Sequence, residues 1–112
     1  MPADRKPALL QGSLDMLILQ SLKKGARHGY AIARSLREVS RDFLQIEEGS
    51  LYPALHRMEQ RGWITSHWGT SETNRRAKYY ELSPAGRSQL KTEAEAWRQM
   101  STAIDRVMGF QT

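Results

Sequence analysis

Cysteine is absent from the 112 residues, so neither a disulfide nor a thiolate metal site can support the fold, and a reducing cytoplasm is the expected compartment. Long apolar runs are missing too. The longest, Leu14–Leu19, is broken by Asp15 and falls far short of the roughly 20 residues a bilayer requires. The opening stretch MPADRKPALL has neither the extended apolar region nor the small-residue cleavage site of a secretory leader. No membrane partner is therefore expected. There is no Gly-rich phosphate loop and no nucleophile motif. The histidines, His28, His56 and His67, are widely spaced and form no HExxH-type pair. An enzyme, a metal site and a cofactor are all unexpected on these grounds. Glu47-Glu48 reads more simply as an acidic pair at a helix entry, where the macrodipole favours it.

What is present is an ordinary globular balance, 39% hydrophobic and 26% charged, in a length that suits one domain. Basic residues outnumber acidic ones 17 to 12, for a net charge of +5. The excess is concentrated early. Residues 1–82 carry 13 basic and 9 acidic side chains, and residues 83–112 carry 4 and 3. A basic chain attracts polyanions by counterion release, which makes nucleic acid a candidate partner and, on charge alone, leaves an anionic membrane surface as an alternative.

The apolar pattern predicts three helices, two strands and a long helix. Leu14, Leu17, Ile18 and Leu22 share one helical face, with Ser13 as an N-cap candidate and Gly25 beyond the end. Residues 23–29 read as a basic loop. Tyr30, Ala33, Leu36 and Val39 mark a second helix, and Phe43, Leu44 and Ile46 in the connector are expected to turn inward. A third helix starts near Glu48–Ser50, buries Leu51, Leu55 and Met58, and ends at Gly62; Pro53 fits close to its first turn. Trp63–Trp68 and Lys78–Leu82 are strand candidates, joined by a long polar tip. Ser83-Pro84 is an N-cap followed by proline at the first helical position. Beyond it Leu90, Ala94, Trp97, Ser101, Ile104 and Met108 step by four and three, a heptad-like seam. A helix from Pro84 to Met108 would run roughly 37 Å, longer than the roughly 25 Å breadth of an 80-residue domain. Part of the seam needs a partner, and a second copy is the simplest one.

The expected fold class is therefore mainly α with a small β-hairpin: a winged helix-turn-helix over residues 1–82 and a C-terminal dimerisation helix over residues 83–112. In that architecture the third helix enters the major groove and the hairpin touches the flanking backbone. Ser50, Tyr52, His56 and Arg57 are expected mostly outward on that helix, where each can bond bases or phosphates. Arg75, Arg76 and Lys78 cluster in the wing. Lys23, Lys24, Arg27 and His28 precede the second helix, whose free amides suit a phosphate; a plain mobile turn is the competing reading.

Three blocks carry a family resemblance: HGYAIARSL at 28–36, EGSLYPALHRMEQRGWI at 48–64 and RRAKYYELSPAGR at 75–87. In this order and spacing they resemble the PadR family of transcriptional regulators, over about residues 9–108, and its smaller branch with a single C-terminal helix. The resemblance implies a homodimeric repressor on a palindromic operator in double-stranded DNA. It places Tyr30, Ser50, Tyr52, His56 and Arg57 toward DNA, with Arg75, Arg76 and Lys78 in the wing. Some members release DNA on binding phenolic acids or flat hydrophobic drugs, in a pocket at the dimer centre that a tryptophan of the last helix lines, and Trp97 matches that tryptophan. Asp15, set among apolar neighbours and facing the same space, departs from a purely apolar pocket. Trp97 as dimer-core packing is the stronger expectation. The rival to DNA binding is a winged-helix module that contacts only protein.

Overall fold

The computed structural model describes residues 11–110. In chain order the elements are α1 (Gln11–Ser21), β1 (Arg27–His28), α2 (Gly29–Val39), α3 (Glu48–Gln60), β2 (Ile64–Thr70), β3 (Arg76–Leu82) and α4 (Pro84–Met108). The three strands form one antiparallel sheet in the order β1-β3-β2. This is the winged helix-turn-helix with a long C-terminal helix that the sequence predicts.

α1 is the hub. It packs against α2, α3 and α4, so its buried surface spreads beyond the expected stripe. Leu14, Ile18 and Leu22 are joined by Leu19 on an adjacent face, and Leu17 is only partly covered. Around them close Ile32 and Leu36 of α2, then Leu51, Ala54, Leu55 and Met58 of α3. Ile64, Tyr80 and Leu82 of the sheet and Leu90 of α4 complete the core.

Several expectations are corrected. α1 begins before Ser13, which lies inside the helix instead of capping it. The expected basic loop contains β1, whose Arg27 and His28 pair with Tyr80 and Tyr79. α2 buries Gly29, Ile32 and Leu36, whereas Tyr30 and Val39 are 63% and 81% exposed. Phe43 points outward at 70% exposure, and Leu44 and Ile46 are partly covered. The hairpin strands are longer than expected and the tip correspondingly shorter. Ser71 N–H donates to the Arg75 carbonyl (2.8 Å), and Asn74 takes φ 62° to turn the chain, a conformation asparagine tolerates better than most residues. Pro53 is the sixth residue of α3, one turn further in than the first-turn placement, although the helix start agrees.

α4 starts as predicted. Ser83 Oγ accepts from the Gly86 N–H at 3.0 Å, with Pro84 at the first helical position. A Cβ at Gly86 would lie 1.9 Å from the Trp63 carbonyl oxygen. That close approach of backbone to backbone locks α4 onto the base of the hairpin. Leu90, expected in the intermolecular seam, is instead buried in the protomer's own core at 7% exposure. The helix leaves the core after that point. Trp97, Met100, Ile104, Val107 and Met108 are all about half exposed or more, while Ala94 and Ser101 are partly covered.

Candidate nucleic-acid interface

α3 turns Leu51, Ala54, Leu55 and Met58 inward, which leaves Ser50, Tyr52 and His56 on its outer side. Tyr52 is 44% exposed, yet its ring is braced from beneath. A Cβ on Gly29 would come within 2.6 Å of the Tyr52 hydroxyl. Only glycine at the start of α2 lets the ring lie across that helix end. Gly29 at the opening of α2 and Tyr52, one turn into α3, are thus one steric unit. Tyr30 stands exposed beside it, with the Arg34 guanidinium 5.5 Å above its ring.

Arg57 does not face outward as expected. Its guanidinium turns back onto α1 and donates to the Asp15 carboxylate at 2.5 Å, with Asp15 8% and Arg57 27% exposed at the side chain. A buried carboxylate on the hub helix requires a cation, and α3 supplies it. Asp15 is thereby committed inside the fold, while Trp97, its expected companion in an effector pocket, lies 48% exposed on α4.

The wing has two faces. Ser66, Trp68, Lys78 and Tyr80 alternate onto the face toward α3. Glu59 of α3 accepts from Ser66 Oγ at 2.5 Å and pairs with the Lys78 ammonium at 3.7 Å. Lys78 is therefore a strut between the wing and α3 before it is a free cation. Arg76 lies 4.3 Å over the exposed Trp68 ring, and Arg75 is exposed at the tip with no acidic partner among the described residues. On the opposite face, His67 stacks on Tyr79, whose hydroxyl donates to the Thr70 carbonyl at 3.1 Å.

His28 ties that second face to α2. Its Nδ1 accepts from the Ala31 N–H at 3.1 Å as the N-cap of α2, and its Nε2 lies 3.1 Å from the Glu72 carboxylate at the wing tip. Its ring also meets Tyr79 edge-on, 5.4 Å between centroids. The His28 hydrogen bond, then one from Glu72's own backbone, lowers the Glu72 carboxyl from its ordinary value; desolvation opposes them, and the nearby charge of Arg34 adds last. Burial, then the negative charge of Glu59, raises the Tyr80 phenol.

His28, Arg34 and Glu72 meet in a surface that sequence reasoning did not assemble, and Trp68 under Arg76 is a further residue it missed. His28 was legible only as part of a basic stretch. Its capping and bridging roles depend on a two-residue strand and on a glutamate 44 residues away. Among the described residues, no helix is long and apolar enough to cross a membrane, and no group of three or more His, Cys, Asp or Glu could hold a metal ion.

Comparison with known proteins agrees with this architecture. The profile of the Transcriptional regulator PadR-like family matches residues 18–92. A transcriptional regulator from Clostridium thermocellum is similar in structure, with a TM-score of 0.78 and 33% identity, over 86% of this chain and 93% of that one. A PadR family transcription regulator from Clostridium difficile superposes with a TM-score of 0.74 and 33% identity, over 85% and 97% of the two chains. In sequence, a transcriptional regulator of Mycobacterium tuberculosis is 31% identical over 68 residues, 61% of this chain and 63% of its own.

Proposed function

The chain belongs to the PadR-like family of DNA-binding transcriptional regulators, which are not enzymes, and on that footing we propose that it is a homodimeric repressor of a palindromic operator. The observation that carries this reading is the pairing of an exposed polar face on α3 with exposed wing cations. Ser50, Tyr52 and His56 supply groups that bond base edges, and Arg75 and Arg76 supply phosphate contacts. Lys78 and Tyr30 flank that face. Arg57 is left out of base reading, because Asp15 holds its guanidinium. Residues 1–82 act as the DNA-binding unit and residues 83–112 as the dimerisation helix. Repression follows from occlusion, since a protein seated in the groove and along the flanking backbone covers the DNA that other proteins need. Such a repressor works in the cytoplasm. A flat aromatic or hydrophobic effector would enter at Trp97 in the dimer, beside α1; packing of Trp97 against the partner copy is the favoured reading.

A dimer presents α3 twice, so the operator is an inverted repeat with half-sites about one or two DNA turns apart. The test is affinity for operator and for random duplex, measured side by side. Tyr52→Ala with His56→Ala narrows the gap between the two, at about 1–3 kcal/mol for each base-reading side chain removed. Arg75→Ala with Arg76→Ala lowers both in parallel and flattens the salt dependence. A folded, dimeric Tyr52→Ala, His56→Ala protein that prefers its operator undiminished removes α3 from recognition. The protein-only alternative predicts no duplex binding at any salt concentration.

A further inference from the structure

The acid at the wing tip occupies a place suited to a phosphate. Two adjoining cavities of about 300 and 510 Å³ lie between the wing and the start of α2, and they share His28, Arg34 and Glu72. Lys24, Arg27, Arg34, Arg75 and Arg76 line one or the other, and Glu72 is the one carboxylate among the lining residues. The two hydrogen bonds of His28 assign its tautomer. Nδ1 accepts the Ala31 N–H and so carries no proton, which leaves Nε2 to donate to Glu72. The histidine side chain is 12% exposed and the glutamate 68%. The donor therefore sits inside and the carboxylate sits at the mouth, where an incoming anion can replace it.

We propose that the cleft between the wing and α2 is a phosphodiester-binding site of the DNA interface, and that Glu72 occupies it as an internal competitor when DNA is absent. The inference rests on the DNA-binding reading above. A backbone phosphate entering the cleft takes over the His28 Nε2 donor and the field of Arg34, and Glu72 swings out to solvent. His28 keeps a hydrogen-bonded partner in both states, so the exchange leaves no buried donor stranded. The wing is latched to α2 in the free protein and released onto the duplex in the complex. Affinity for any DNA is lower than the same cleft would give without its acid.

The experiment uses the full chain and a mixed-sequence duplex, titrated between about 50 and 200 mM salt. Glu72→Gln is expected to bind about two- to fivefold tighter for each wing engaged, the scale of one exposed charge interaction, here the repulsion between carboxylate and phosphate. Its salt slope steepens by about 0.9 for each phosphate gained. Glu81→Gln is the matched control: Glu81 is also a wing acid beside a histidine, 3.7 Å from His67, but outside the cleft. It leaves binding unchanged. His28→Asn keeps an N-cap acceptor for α2 but releases Glu72, so adding Glu72→Gln to it gains little. Amide exchange at Asn74 and Arg75 in the free protein quickens in Glu72→Gln, a readout independent of DNA and of whether His28→Asn folds. Equal gains from Glu72→Gln and Glu81→Gln, or unchanged tip exchange, overturn the latch and leave DNA binding standing. Failure of both wild type and Glu72→Gln to bind duplex overturns both readings.

Discussion

Arg57 of α3 and Asp15 of the hub helix α1 meet at 2.5 Å, 42 residues apart in the chain. The pair adds a polar tie to the rotation of α3 already set by its buried Leu51, Ala54, Leu55 and Met58, the face opposite Tyr52 and His56. Removing the arginine strands a carboxylate that is 8% exposed. Arg57→Ala is expected to cost about 2–3 kcal/mol, below the roughly 3–5 of a fully buried pair because the arginine is partly wet. The double change Asp15→Leu, Arg57→Met recovers most of the loss, since it removes both charges. Chemical denaturation of the set measures this. A loss of operator preference in Arg57→Lys without any loss of stability would return Arg57 to the reading surface.

Gly29 and Tyr52 make a second coupled pair. A methyl group at position 29 meets the end of the tyrosine ring and not backbone, so the ring can yield. Gly29→Ala is expected to shift Tyr52 away from its pose and weaken operator preference more than it lowers the melting temperature. In a Tyr52→Ala background the same change has almost no further effect on binding. Additive losses in the double mutant would show that the ring and the glycine act separately.

How much of this was legible in sequence depends on how local each signal is. α4 was readable because Ser83, Pro84 and the apolar steps after them lie within one helix and need no other part of the chain. The exposed Ser50, Tyr52 and His56 followed from the phase of Leu51, Leu55 and Met58 in the same way. β1 was not readable, since two residues show no period and pair with Tyr79 and Tyr80 some 50 positions on. The inward turn of Arg57 was hidden because an arginine among polar neighbours looks solvent-facing until a distant Asp15 is placed beside it. The buried face of α2 was misjudged because Tyr30 and Val39 are apolar in composition, yet Gly29 and Ile32 are what the core admits.

Tyr80 gives a pH-dependent prediction. Its phenol is raised above the ordinary 10.0, first by burial and then by the charge of Glu59. A raised folded-state value means the contribution to stability is intact below the unfolded value and is lost as pH rises through the folded one. Stability should therefore decline on the alkaline side beyond about pH 10. Tyr80→Phe makes that decline shallower. Denaturant midpoints at neutral and alkaline pH compare the two proteins. Identical alkaline slopes would mean that Tyr80 ionises alike in both states.

The seam of α4 divides at a definable point, and the division can be read in solution. Leu90 is 7% exposed inside the protomer, whereas Ile104 and Met108 are 48% and 58% exposed. Truncating Leu90 to alanine opens a cavity in the protomer core and costs about 2–5 kcal/mol of stability. A charge at Ile104 opens no cavity, because half of the side chain already faces water. It instead puts a carboxylate on the apolar surface that a second copy would cover, where burial is worth roughly 25 cal/mol per Å². Wild type is expected to sediment as a dimer at micromolar concentration, and Ile104→Glu as a folded monomer or a much weaker dimer. Operator affinity in Ile104→Glu falls with the dimer, since each half-site is then bound alone, while the weak affinity for random duplex declines less. A wild-type protein that sediments as a folded monomer, or an Ile104→Glu protein that remains a tight dimer, places the interface elsewhere than on the α4 overhang.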